Sequence, residues 1–134
     1  MGSPAFYDFS GIYEVASSDK YEEYLDAIDA DATTRAAASA QLKIKQEGDH
    51  YTLTTSTPTG TTVSQFTLGQ EYVESDDQGR SIKGICRRDG NRIIQQLKRD
   101  KVEMTVVRTL DGETLTAVFH SGNTTANRSY RRLA

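Results

Sequence analysis

Regularly spaced turn signals after residue 41 constrain the fold of this chain more than any other feature. From there to the C-terminus, short strand-like runs rich in Val, Ile, Thr and Tyr are separated by turns that contain Gly, Asp or Asn. The turns recur about every 8 to 12 residues, and no helical pattern lies between the later runs. With GIYEVA at 11–16, the sequence predicts about ten strands. This pattern indicates a mainly β fold, an antiparallel up-and-down sheet that closes into a ten-stranded barrel.

Helical periodicity is confined to the segment between the first two predicted strands. Tyr21, Tyr24, Leu25 and Ile28 recur at helical spacing, and acidic residues take the opposite side. Asp19, followed three residues later by a glutamate, predicts the start of this helix. A second helix is predicted over 33–40, so that the region 19–40 forms a helix-turn-helix. Because these helices are short and one-sided, we expect them to cover the open end of the barrel as a lid.

Composition narrows the class of protein. The 134 residues suffice for one domain, 1–134, and the single cysteine, Cys86, predicts a buried free thiol rather than a disulfide framework. A net charge of −3 argues against nucleic-acid binding. His50 and His120 have no second ligand at metal-binding spacing, and no catalytic motif or cofactor-binding motif is present. We therefore expect a protein that is not an enzyme, with no metal and no cofactor.

The start of the chain and its hydropathy bear on location. MGSPAFYDF has neither the basic nor the apolar region of a secretory signal. No apolar run approaches the roughly 18 residues that a membrane-spanning helix requires. The expectation is a cytoplasmic protein that does not insert stably into membranes and is a monomer.

Three late strands predict a polar cluster inside the barrel. Because side chains alternate along a strand, Arg108 shares the apolar face of VEMTVVR with Val106. By the same alternation Ala117 and Phe119 share a face, as do Arg128 and Tyr130 on the last strand. The predicted inward rows are Val102, Met104, Val106 and Arg108; Leu115, Ala117 and Phe119; and Thr124, Ala126, Arg128 and Tyr130. Two guanidinium forks beside a phenol, in an otherwise apolar chamber, are typical of a site for a ligand carboxylate.

Several segments, in this order and spacing, resemble the intracellular lipid-binding proteins, the cytosolic fatty-acid-binding and retinoid-binding proteins. They span nearly the whole chain: FSGIYEVASSDKYEEYL (9–25), TTRAAAS (33–39), EGDHYTLTTST (47–57), FTLGQEYVESDDQGRSIKG (66–84), VVRTLDGE (106–113) and ANRSYRR (126–132). The resemblance implies a ten-stranded β-clam with a helix-turn-helix lid. It also implies a lipid carboxylate held by an Arg-x-Tyr motif, here Arg128 and Tyr130, and by a further arginine, here Arg108. The ligand-facing side of the first helix would then carry Tyr21, Leu25 and Ile28.

These observations together predict a non-enzymatic cytosolic carrier of a long-chain fatty acid. A retinoic-acid carrier of the same family, using the same arginines, is the first alternative. A second alternative keeps the fold but serves protein interaction or stress stability, with lipid bound only incidentally. The sequence leaves the ligand, its chain length and any delivery partner open.

Overall fold

The computed structural model of the chain describes residues 8–37, 41–57 and 60–134. These residues form two short helices and ten strands. In chain order the elements are β1 Gly11–Asp19, α1 Tyr21–Ala27, α2 Ala32–Ala36, β2 Gln41–Glu47, β3 His50–Thr57, β4 Gly60–Thr67, β5 Tyr72–Ser75, β6 Ser81–Asp89, β7 Arg92–Arg99, β8 Val102–Asp111, β9 Thr114–Ser121 and β10 Thr124–Arg132.

All ten strands lie in one antiparallel sheet, in the order β4-β3-β2-β1-β10-β9-β8-β7-β6-β5. Strand β1 pairs with both β2 and β10, which joins the first strand to the last and curves the sheet into a nearly closed barrel. The predicted ten-stranded β-clam with two helices between its first two strands is confirmed.

Strands β4 and β5 are the two ends of the sheet, and side chains join them. The Ser64 hydroxyl donates a hydrogen bond of 2.8 Å to Glu74 Oε1. The rings of Phe66 and Tyr72 stack with centroids 6.0 Å apart. The seam between the end strands is therefore closed by side-chain contacts.

Tight turns set the register of the hairpins. Glu47 pairs with His50, so only Gly48 and Asp49 connect β2 to β3. Gly48 has a φ of +61°, a left-handed conformation that costs glycine little and other residues more. The register fixed by such turns decides which residues of each strand face inward.

The start of α1 differs from the prediction. Asp19 is the last residue of β1, where it pairs with Asn127, and it does not cap the helix. Lys20 occupies the cap position in a left-handed conformation with φ 61°, and it makes no side-chain capping bond. Because the strand continues to Asp19, the chain reverses at a single residue before the helix begins.

Helix α2 also differs in its bounds. It begins at Ala32, one residue before the predicted start, because the side chain of Asp31 accepts a hydrogen bond of 2.7 Å from the Thr34 amide and caps it. It ends at Ala36, with Ala37 as its C-cap. The predicted helical residues 38–40 lie outside the described part of the chain.

The core follows the alternation of the strands. The largest wholly buried side chains are Tyr13, Tyr51, Phe9, Leu25, Leu115 and Cys86. The buried thiol predicted for Cys86 is confirmed. Burial raises the pKa of this thiol to about 11, so the reactive thiolate is scarce at neutral pH. Among the described residues, neither helix is long and apolar enough to cross a bilayer.

Candidate ligand-binding site

Two adjoining cavities lie between the helices and the strands. The inner chamber, about 240 Å³, has walls that include Leu42, Leu53, Thr55, Ser64, Arg128 and Tyr130. The lid chamber, about 210 Å³, lies under α1 and has walls that include Tyr24, Ile28, Leu97, Arg99, Met104 and Val106. Both chambers are bordered by Tyr21, Thr34, Gln95, Arg108 and Phe119. Shared walls of this kind place the two chambers side by side.

Arg128 lies in the wall of the inner chamber, with 6% of its surface exposed. Its Nε donates a hydrogen bond of 2.9 Å to the Ser18 hydroxyl. The guanidinium carbon lies 4.2 Å from the centre of the Tyr21 ring and 5.5 Å from that of Tyr130. Such cation–π contacts favour a charged guanidinium over the aromatic face. Arg128 is thus fixed by lid and barrel together.

Burial and the neighbouring side chains shift the pKa of Tyr21. Burial is the largest influence and raises the pKa of its phenol, and Tyr130 adds to the rise. The charges of Arg128 and Arg108 oppose it. The phenol therefore stays protonated at neutral pH and available as a hydrogen-bond donor.

Arg108 lies in the chamber wall and is held there by a chain of polar contacts. Its Nη1 donates a hydrogen bond of 2.9 Å to Gln95 Oε1, and Gln95 Nε2 donates one of 2.7 Å to the Tyr72 hydroxyl. That hydroxyl lies 3.9 Å from Cys86 Sγ. Gln95 and Tyr72 were not predicted from the sequence, although both are set in strands that face the barrel interior. Their effect is to hold the Arg108 guanidinium at the border of the two chambers.

Strand register explains why two arginines share one cavity wall. Ala117 pairs directly with Arg108 on one side and with Arg128 on the other. Directly paired residues project from the same face of a sheet, so both guanidinium side chains enter the barrel at one level, with backbones about 10 Å apart. The small, wholly buried Ala117 side chain lies between them.

The remaining predicted pocket residues divide into two groups. Tyr21, Ile28, Val106 and Phe119 line the chambers, and the Tyr21 and Phe119 ring centres are 5.0 Å apart. Leu25 and Ala117 are wholly buried and line neither of the two chambers as described. Leu25 packs into the core beneath α1 instead.

The side chains around the two chambers are suited to binding a ligand. Three arginines and three tyrosines border the two chambers beside walls of aliphatic and aromatic carbon, which suits an apolar ligand with an anionic group. Within residues 8–37, 41–57 and 60–134, no three His, Cys, Asp or Glu side chains lie close enough together to hold a metal ion.

Comparison with known protein families decides the relationship. A sequence model of the lipocalin / cytosolic fatty-acid binding protein family matches residues 7–134. The chain belongs to this family. The membership agrees with the barrel and the two helices described above, and with the resemblance read from the sequence.

Individual relatives extend over almost the whole chain. Fatty acid-binding protein homolog 6 of Caenorhabditis elegans is 33% identical, over 93% of this chain and 97% of its own length. Sodium/calcium exchanger regulatory protein 1 of Doryteuthis pealeii is 31% identical, over 94% of this chain and 97% of its own. Among solved structures, the REP1-NXSQ fatty acid transporter superposes with a TM-score of 0.82 at 29% identity, covering 93% of this chain and 96% of that one.

Proposed function

We propose that this protein is a non-enzymatic cytosolic carrier that binds one long-chain fatty acid inside the barrel. In this proposal Arg108, Arg128 and the Tyr130 hydroxyl hold the carboxylate, and the acyl chain lies against the apolar walls. The observation that carries the proposal is the common register of Arg108 and Arg128 on either side of Ala117. Two cations at one level of an enclosed space call for an anionic ligand group.

The partner of Arg108 supports an anionic ligand. Gln95 is neutral, so the hydrogen bond that it accepts from Arg108 brings no opposite charge, and Arg108 forms no ion pair within the described part of the chain. Arg108 is partly buried, and partial withdrawal of a cation from water without an anionic partner costs free energy. A ligand carboxylate at this position would recover part of that cost through charge-assisted hydrogen bonds.

Removing one arginine tests the proposed carboxylate contact. For the variant Arg128→Leu, we expect a loss of fatty-acid affinity of about 1.5–3 kcal/mol, the usual value of a hydrogen bond to a charged group. The fatty alcohol of equal chain length should lose much less, because it has no charge to bind. The measurement is displacement of a fluorescent fatty-acid probe by each ligand.

A matched control lies on the same strand. Arg131 is exposed and pairs with Glu14 on the outside of the barrel, so Arg131→Leu should change neither affinity. Equal losses for the acid and the alcohol in Arg128→Leu would show that the residue supports the fold and does not bind the carboxylate.

Two other functions are compatible with the fold. A retinoic-acid carrier would use the same arginines, and the same displacement assay separates it: oleic acid should displace the probe better than retinoic acid does. The relative named as a sodium/calcium exchanger regulatory protein favours a second candidate, regulation of a partner protein. A barrel that binds no fatty acid in the assay would favour that candidate.

A further inference from the structure

Arg99 is a second buried cation, at the opposite end of the ligand space from Arg128. It is the last residue of β7, only 6% of its surface is exposed, and it borders the lid chamber. Its Nη2 donates a hydrogen bond to the carbonyl of Ile28, at the C-terminal end of α1. A cation is favourable at that end of a helix, so Arg99 helps to fix the lid.

The hydrogen bond to Ile28 uses only one of the N–H donors of the Arg99 side chain. A guanidinium has five N–H donors, and within the described part of the chain Arg99 bonds to this one carbonyl. Among those residues it forms no ion pair. The same residues include no wholly buried side-chain nitrogen without a partner. The other nitrogens of Arg99 therefore keep some accessible surface, and the residue borders the lid chamber.

The two carboxylates that border the lid chamber are engaged elsewhere. Asp31 accepts hydrogen bonds of 2.7 Å from the amides of Thr34 and Asp77. Asp76 pairs with Arg80 at 2.7 Å. In the described part of the chain neither carboxylate forms an ion pair with Arg99, although Asp31, whose partners are neutral amides, keeps its negative charge at the border of the same chamber. A guanidinium withdrawn from water favours an anionic partner in direct contact.

We propose that Arg99 binds a second oxygenated group at the far end of the same ligand, and that the preferred ligand class is the long-chain α,ω-dicarboxylic acids. The inference rests on the proposed function, which assigns the first carboxylate to Arg108, Arg128 and Tyr130. Arg99 thereby becomes a residue that determines ligand specificity.

The dimensions of the cavity agree with one extended ligand. Arg99 pairs with Val102 at the start of β8, and Arg108 lies on the same strand, about 20 Å further along at about 3.3 Å per residue. Both chambers are bordered by Arg108 and Phe119, so they adjoin at these residues, where the acyl chain would cross from one to the other. Ile28, Met104 and Val106 supply apolar contacts along the way.

Isothermal titration calorimetry with hexadecanoic acid and hexadecanedioic acid tests the proposal. The protein is compared with the variant Arg99→Met, which keeps an unbranched side chain but removes the charge. We expect the ratio of diacid affinity to monoacid affinity to fall at least tenfold in Arg99→Met. The control Lys98→Met removes an exposed cation from the neighbouring, outward-facing position and should leave the ratio unchanged.

A ratio that stays the same in Arg99→Met would overturn the proposal and leave Arg99 as a fixture of the lid. The proposal would also be overturned if two molecules of hexadecanoic acid bound per chain and one of them were lost in Arg99→Met. Arg99 would then bind the carboxylate of a separate ligand. Should Arg99→Met fail to fold, the monomethyl ester of hexadecanedioic acid replaces the variant. The unmodified protein should bind this ester at least tenfold more weakly than the diacid, and equal binding would overturn the proposal.

Failure of this inference is distinguishable from failure of the proposed function. If hexadecanoic acid binds in a way that depends on Arg128 while the ratio of diacid to monoacid affinity is unchanged by Arg99→Met, only the role proposed for Arg99 is wrong. If neither acid binds, both proposals are wrong.

Discussion

Ala117 is the residue whose size matters most to the candidate site. It is wholly buried and stands directly between Arg108 and Arg128 in the sheet. Any larger side chain here would occupy the space into which the two guanidinium groups project. The sequence indicates the inward direction of Ala117, but only the register shows which two residues are its neighbours.

Enlarging this residue should therefore affect both stability and binding. In Ala117→Leu we expect a loss of about 1–3 kcal/mol in the free energy of unfolding from overpacking, together with weaker fatty-acid binding. Urea denaturation and probe displacement measure the two effects. Val118→Leu, at the next position on the outward face, is the control and should change neither quantity. A fully stable Ala117→Leu with unchanged affinity would refute the crowded position assigned to Ala117.

Single residues also show why part of the site was predictable and part was not. Arg108 and Arg128 lie on strands in which the residues of one face are mostly apolar or small, so the alternation of side chains alone predicts that both point inward. In strand β7 the adjacent residues Ile93 and Ile94 point to opposite faces, so alternation gives no preference there. Gln95 and Arg99, both inward-facing on β7, were missed for this reason.

At the scale of elements, the two helices are held by a network that we call the lid latch, defined as the contacts between residues 29–33 and residues 76–80. Arg80 donates hydrogen bonds of 3.0 Å and 2.9 Å to the side chain and carbonyl of Asp29. The Asp77 amide donates one of 2.7 Å to Asp31, and the Thr33 amide donates one of 2.9 Å to the Asp77 carboxylate. The latch joins the turn between the helices to the turn between β5 and β6.

The lid latch should weaken in acid. Burial tends to raise the pKa of Asp31, but the hydrogen bonds from Thr34 and Asp77 outweigh it and hold that pKa below its ordinary value. A lowered folded-state pKa contributes stability that is complete above the unfolded-state pKa, about 3.9, and is lost as the pH falls through the folded-state pKa. We expect hydrogen exchange of the α2 amides to accelerate below about pH 4, relative to those of the β8–β9 hairpin.

Asp31→Asn should remove much of this acid dependence while keeping the helix cap, because asparagine caps a helix about as well as aspartate but does not titrate. Asp26→Asn, which removes an exposed carboxylate from the same lid, is the matched control. Identical acid profiles for the unmodified protein and Asp31→Asn would mean that Asp31 does not act as the acid-sensitive contact.

At the scale of the whole molecule, the order of strands and the position of the helices followed from turn spacing and periodicity, since both are local properties. The contact between the end strands β4 and β5 could not be predicted from such local patterns. It depends on Phe66, Tyr72, Ser64 and Glu74 meeting across the two ends of the sheet, and such contacts leave no local pattern. The start of α1 was misjudged because the pairing of Asp19 with Asn127, distant in sequence, prevails over its capping preference.

The central claim is that a fatty-acid carboxylate lies inside the barrel beside Arg108, Arg128 and Tyr130. Carbon-13 NMR of oleic acid labelled at its carboxyl carbon tests this most directly, in a pH titration of the complex. Because the two guanidinium groups stabilise the anion, the bound signal should show no titration down to about pH 4, near the ordinary pKa of a carboxyl group. In Arg128→Leu the midpoint should move upward. A bound signal that titrates as free fatty acid does, in both proteins alike, would place the carboxylate in solvent and contradict the account.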